Sequence, residues 1–138
     1  MRRYGIAVIV AITGLVCGTA DAKSVKLLAI GNSFSNNALR YFKEIVAAAG
    51  HEAIVGHAMI GGCDFDRHVR HAEAFEKDPA DPQGRPYAGK KSLQELLQQE
   101  KWAYVTIQQV SHKAPIPESY QPGADRLIAI IRKYAPDA

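Results

Sequence analysis

Three short apolar runs, each stopped by a turn rich in glycine or amide residues, constrain this chain more than any other feature. Lys26 to Ile30 is the near-continuous apolar run of a strand buried on both faces, and it stops at Gly31-Asn32-Ser33. Ala53 to Ile60 predicts a second strand running into Gly61-Gly62, and Tyr104 to Gln108 a third that ends at Gln109. Helical spacing fills the intervals. Ala38, Leu39, Phe42, Ile45, Val46 and Ala49 predict a first helix, capped by Asn36 or Asn37 and stopped by Gly50. The polar segment from Asp64 to Lys91 holds three prolines and predicts a short helix followed by a long loop. Ser92-Leu93-Gln94-Glu95 has capping-box spacing, so a helix starts there. Pro122 opens a last helix with the stripe Leu127, Ile128, Ile131 and Tyr134, Arg132 and Lys133 near its negative end, and Pro136 after it.

Alternating strands and helices predict an α/β three-layer sandwich around a parallel sheet. In such sheets the working crevice lies outside the carboxyl ends of the strands. Ser33, Gly61-Gly62 and Gln108-Gln109 each follow a strand, so they are expected to converge on one edge.

The first 22 residues read as a leader. Arg2 and Arg3 precede an apolar core from Ile6 to Val16, and Ala20-Asp21-Ala22 offers a small-x-small cleavage site, which predicts a secreted or periplasmic protein with no stable membrane insertion. The rival is lipid attachment at Cys17, although Val16 stands where a small residue is expected. Cleavage removes Arg2, Arg3 and Asp21, taking the net charge from +3 to +2, a balance too weak for a nucleic-acid partner. Cys63 is then the single cysteine, which excludes an intrachain disulfide and suits a small buried residue. His68 and His71, three residues apart beside Asp64, lack a zinc signature, as do His57 and His112; a solvated polar face accounts for them, and no metal or cofactor is expected.

The three turns carry the parts of an acyl-transfer site. Ser33 offers a hydroxyl and a backbone N–H, Gly62 or Gly61 admits a second N–H at close range, and a glutamine amide supplies a third donor. Each has a purely structural alternative: Ser33 as a helix cap, the glycines as an ordinary turn, Gln108 and Gln109 as a strand end in solvent. Asn32 either orients the Ser33 turn or caps the helix.

At these residues the chain resembles the SGNH (GDSL-like) hydrolases. Gly31-Asn32-Ser33 stands where that family has Gly-Asp-Ser, and Gly61-Gly62 looks like its second block. "LLAIGNSFS", "IGGCDFDRH" and "WAYVTIQQVSH" together are similar to a secreted bacterial subgroup of it. The resemblance implies a flavodoxin-like SGNH hydrolase fold, with strand 3 beside strand 1, and a secreted serine esterase acting on small acyl esters, including O-acetyl groups of carbohydrates. Ser33 is the implied nucleophile, and Ser33 N–H, Gly62 N–H and the Gln109 amide are the implied oxyanion donors. Asn32, Gly61, Gln108, His68 and His112 are expected to line the site. Two departures stand out: Gln108-Gln109-Val110-Ser111 replaces Gly-x-Asn-Asp, and no Asp-x-x-His follows Gln109. Residues 23–138 are therefore expected to be the N-terminal part of such a domain, with its C-terminal strands and base lying further on. The alternative is a noncatalytic module that holds a glycan or an anion in the same crevice.

Overall fold

Alternate residues of the first strand face two different environments, and the fold follows from that division. The computed structural model describes residues 22–138, so Cys17 and nearly all of the expected leader lie outside the described residues. Strands β1 (Ser24–Gly31), β2 (Glu52–Met59) and β3 (Tyr104–Ile107) form a parallel sheet in the order β2-β1-β3. Leu28 pairs with Gly56 on one side and Val105 on the other. Leu28 and Ile30 enter the main core, whereas Leu27 and Ala29 are buried outside it, on the opposite face. This is the α/β architecture with a central parallel strand that the apolar run of β1 predicts.

Helices α3 (Phe65–Lys77), α4 (Leu93–Gln98) and α5 (Gly123–Tyr134) supply most of the rest of that core, joined by Ala58, Tyr87, Trp102 and Ala135. The expected short helix after Asp64 is instead the longest among the described residues, with 13 residues. Its prolines all fall after Lys77, where they shape the loop and its 3-10 turn Pro82–Gly84 rather than the helix. Asp64 caps it by accepting from the Arg67 N–H at 2.9 Å, and Phe65, His68, Val69 and Ala72 form its buried stripe. The capping box of α4 is complete: Ser92 Oγ accepts from Glu95 N–H at 3.1 Å, and Glu95 Oε2 accepts from Ser92 N–H at 2.8 Å.

The stripe of α5 is rotated from the expected one. Gly123, Ala124, Leu127 and Ile131 are buried, and Ile128 is 43% exposed. Close approach to α3 explains the rotation, because a Cβ on Gly123 would lie 3.0 Å from that of Phe65. Ion pairs fasten the two helices along their length. Arg126 pairs with Glu73, and Glu76 accepts from Lys133 Nζ at 2.9 Å and Tyr134 Oη at 2.8 Å.

The expected first helix is two helices, α1 (Ser33–Ala38) and α2 (Phe42–Ala48). Of the cap candidates Asn32, Asn36 and Asn37, it is Asn32 that serves: Asn32 Oδ1 accepts from Phe34 N–H at 3.1 Å, which starts the helix directly at the strand end. Tight turns at Arg40 and Phe42, whose N–H groups bond to Asn37 and Leu39 carbonyls, separate α1 from α2. Gly50 ends α2 as expected, at φ +80°, with Gly50 N–H on Ala47 O and His51 N–H on Val46 O. Among the described residues no helix is long and apolar enough to cross a membrane.

Candidate functional site

Backbone and side-chain hydrogen bonds stitch the three strand-end loops together. The Gly31 carbonyl accepts from Ile60 N–H at 3.1 Å, and Asn32 Nδ2 donates to Cys63 O at 3.2 Å, so the first turn is tied to the second at both ends of the glycine pair. Gln108 N–H donates to Ile30 O at 3.0 Å, and Ser35 Oγ donates to Gln108 Oε1 at 3.0 Å, tying the third loop to the first. Glycine at position 31 leaves room for this pair, since a Cβ there would run into Ser35 Oγ and lie 3.1 Å from the Gln108 Cβ. The three loops share one edge of the sheet.

Ser33 follows the buried Asn32 and is itself exposed, at the first position of α1. Asn32 therefore performs both roles open to it, capping the helix and orienting the Ser33 turn. On the second turn, Cys63 N–H bonds to Ile60 O and closes a loop in which Gly62 sits at φ +60°, a left-handed conformation that favours glycine; both Gly61 and Gly62 are exposed. Among the described residues neither Ser33 N–H nor Gly62 N–H has a hydrogen-bond partner within the protein. Two exposed residues on neighbouring turns, Ser33 and Gly62, thus each keep an N–H without a partner among the described residues.

Both glutamine amides are engaged elsewhere, contrary to their expected direction. Gln109 is 4% exposed; its Oε1 accepts from Val110 N–H at 2.9 Å and Phe65 N–H at 3.4 Å, and its Nε2 donates to Ser119 O at 2.9 Å. A buried amide has to satisfy its own donors and acceptors, and Gln109 does so by joining the third loop to α3. Gln108 Nε2 donates to Gln109 O, and its Oε1 is held by Ser35.

The histidines divide sharply. His68 is wholly buried, not part of a solvated face: Nε2 lies 3.1 Å from Gly31 O and Nδ1 lies 2.8 Å from Tyr87 Oη. Burial pushes its pKa down to about 4, so the ring is neutral. His112 and His57 are exposed and make no side-chain hydrogen bond among the described residues. His71 Nδ1 donates to Gln83 O at 2.6 Å. Cys63 is buried, and burial raises its thiol to about 11, which leaves it protonated and unreactive. Burial also raises the Asp64 carboxyl, but its contacts with Lys113 and the Arg67 N–H outweigh that and hold it below the usual range. Among the described residues no three His, Cys, Asp or Glu side chains are grouped to hold a metal ion.

A family model described as a domain of unknown function, DUF4886, matches residues 26–138. The chain belongs to the DUF4886 family. The crystal structure of a DUF4886 family protein from Bacteroides uniformis ATCC 8492 is similar, with 30% sequence identity and a TM-score of 0.68 over 80% of this chain. This chain spans 45% of the length of that one. No curated protein matches it significantly.

Within the DUF4886 fold seen here, the strand-end edge borders a cavity of about 530 Å³ between α1 and the edge strand β3, lined by Ala29, Phe34, Ala38, Leu39, Thr106 and Gln108. Tyr87 and Lys113 have no signature in the sequence, because their partners lie 19 and 49 positions away. His68 does leave a trace: it falls on the stripe that Phe65, Val69 and Ala72 define at helical spacing.

Proposed function

We propose that this chain carries the nucleophile part of a serine ester hydrolase of the SGNH type, acting outside the cytoplasm on small acyl esters, a class that takes in O-acetyl groups of carbohydrates. One observation supports the reading: the turn of the exposed Ser33 is tied to the Gly62 turn, both residues have N–H groups without a partner among the described residues, and Gly31, Asn32 and Cys63, which hold the turns, are buried and cross-bonded. Ser33 Oγ attacks the ester carbonyl, and Ser33 N–H and Gly62 N–H receive the negative charge that develops on its oxygen. Gln109 enters this scheme as the brace that sets the third loop on α3.

The attacking hydroxyl has to lose a proton. His68 has both ring nitrogens engaged, and nothing orients His112 or His57 toward Ser33. The reading therefore assigns the base to an Asp-x-x-His element outside residues 22–138. That histidine takes the proton from Ser33, delivers it to the departing alkoxide, and then activates water to release the acyl group.

The test uses the full-length secreted protein, an activated acetyl ester and a fluorophosphonate probe. Hydrolysis that is lost in Ser33→Ala, with a probe adduct mapped to the peptide containing Ser33, supports the reading. Equal turnover in Ser33→Ala overturns it. Binding of an acetylated glycan without turnover, weakened by Ser33→Ala, would make the crevice a binding module instead. N-terminal sequencing should begin at Lys23; a lipid-modified Cys17 would place the protein on a membrane.

A further inference from the structure

A histidine with no exposed surface, on a helix stripe otherwise made of Phe65, Val69 and Ala72, calls for an explanation, since an aliphatic side chain would fill that position without a polar group to satisfy. Its two partners fix its protonation completely. A carbonyl only accepts, so the contact with Gly31 O puts the proton on Nε2; Nδ1 is then bare and accepts from the Tyr87 hydroxyl. The Tyr87 ring lies nearly parallel to the imidazole, at 5°, and is itself 3% exposed, so the donor cannot turn away to water.

We infer that His68 is a positioning residue for Ser33, its Nε2–H holding the Gly31 carbonyl while Tyr87 holds its tautomer. Gly31 is two residues before Ser33 and its carbonyl belongs to the peptide that leads into Asn32. The same oxygen accepts from Ile60 N–H, one residue before Gly61. His68 thus grips one of the two points at which the nucleophile turn and the glycine turn are tied, the other being the Asn32–Cys63 bond, and it grips it from the buried stripe of α3. A tilt of that peptide shifts Ser33 Oγ relative to Gly62 N–H, which is the geometry that ester attack depends on. Nothing in this arrangement touches substrate.

The inference rests on the hydrolase reading for its kinetic consequence, and its test separates the two. In the full-length protein, His68→Gln keeps an N–H at the Nε2 position, whereas His68→Asn, one bond shorter, keeps only an acceptor for Tyr87. The Asn variant is expected to lose roughly 100-fold in kcat with KM little changed, and the Gln variant to recover most of that loss. Melting curves for both variants give the folded fraction by which rates are corrected. Amide exchange of Ile60, which shares the Gly31 carbonyl, should quicken in the Asn variant and stay near wild type in the Gln variant. If kcat per folded molecule is the same in all three proteins, or Ile60 exchanges alike in both variants, the inference is overturned. If Ser33→Ala leaves hydrolysis unchanged, the hydrolase reading fails, and the Ile60 exchange alone still decides whether His68 sets the turn.

Discussion

On one face of the sheet Phe65, Val69, Leu93, Leu97 and Leu127 are at most 2% exposed, and ion pairs lace α3 to α5. On the other, α2 buries no residue completely, and Phe34, Tyr41 and Ile45 stand 54%, 58% and 66% exposed. The candidate nucleophile belongs by sequence to the loose face, because Ser33 is the first residue of α1. Its anchors belong to the tight one. His68 on α3 grips Gly31, and Asn32 reaches Cys63 just before α3. A reactive turn can thus be held in place by the helix it faces rather than by the helix it starts.

The largest expected contrast comes from emptying each face in turn. Phe65→Ala removes a ring packed edge-on to Tyr120 at 5.6 Å and should cost about 3–5 kcal/mol, while Ile45→Ala should cost less than about 1 kcal/mol. Urea midpoints of the two variants measure the difference; equal losses would mean that the faces contribute alike.

Acid should then weaken the tight face selectively. His68 is held at about 4 against an ordinary 6.5, chiefly by burial, so the unfolded chain binds a proton that the folded chain refuses. Stability is full above pH 6.5 and declines as pH falls to 4, by about 3 kcal/mol in total. The groups facing the ring are the Tyr87 hydroxyl and Gly31 carbonyl, with Asp64 favouring protonation and Arg67 and His71 opposing it. Unfolding free energies at pH 7 and pH 4.5 should differ much less in His68→Gln; an unchanged difference assigns the acid sensitivity elsewhere.

Asn32→Ala bridges the two faces, since it removes the α1 cap and leaves the Cys63 carbonyl without its donor. A loss of about 2 kcal/mol is expected, against about 1 for Ser92→Ala, whose box serves α4 alone. The smallest effect separates the two glycines of the crevice. Gly62→Ala forces a side chain to φ +60° and should cost about 1 kcal/mol, whereas Gly61→Ala, with open space around its Cβ, should stay within about 0.5. Thermal melts resolve both, and equal midpoints would argue that Gly62 can relax.

Strand placement was legible to within a couple of residues because β1 is apolar on both faces and each strand stops at small or amide residues. The Ser92 box and the Gly50 stop were legible for a similar reason: their chemistry is contained within a few neighbouring positions. The start of α1 is only partly legible because Asn32, Asn36 and Asn37 are equal candidates locally, and only Cys63, 31 positions away, decides for Asn32. The sequence around His68 points to solvent because Arg67, Arg70 and His71 surround it. Its burial depends on Tyr87 and Gly31, contacts that the local pattern does not contain. Gln109 follows the same logic: its place at a strand end is legible, while its amide answers to Phe65 and Ser119, which the local pattern does not contain.

The absence of a side chain at Gly56 has an optical consequence. Trp102 is the only tryptophan, its ring edge resting where a Cβ on Gly56 would fall, 2.6 Å away, and its indole N–H donates to Leu96 O at 2.9 Å. At 4% exposed, it should emit like an indole in an apolar, immobile setting and shift to longer wavelength only when β2 parts from α4. Intrinsic fluorescence would therefore report on the tight half of the molecule alone. Loosening of α1 and α2 would pass unseen by that probe, so a second label on that face is needed before any unfolding curve is taken to describe the whole chain.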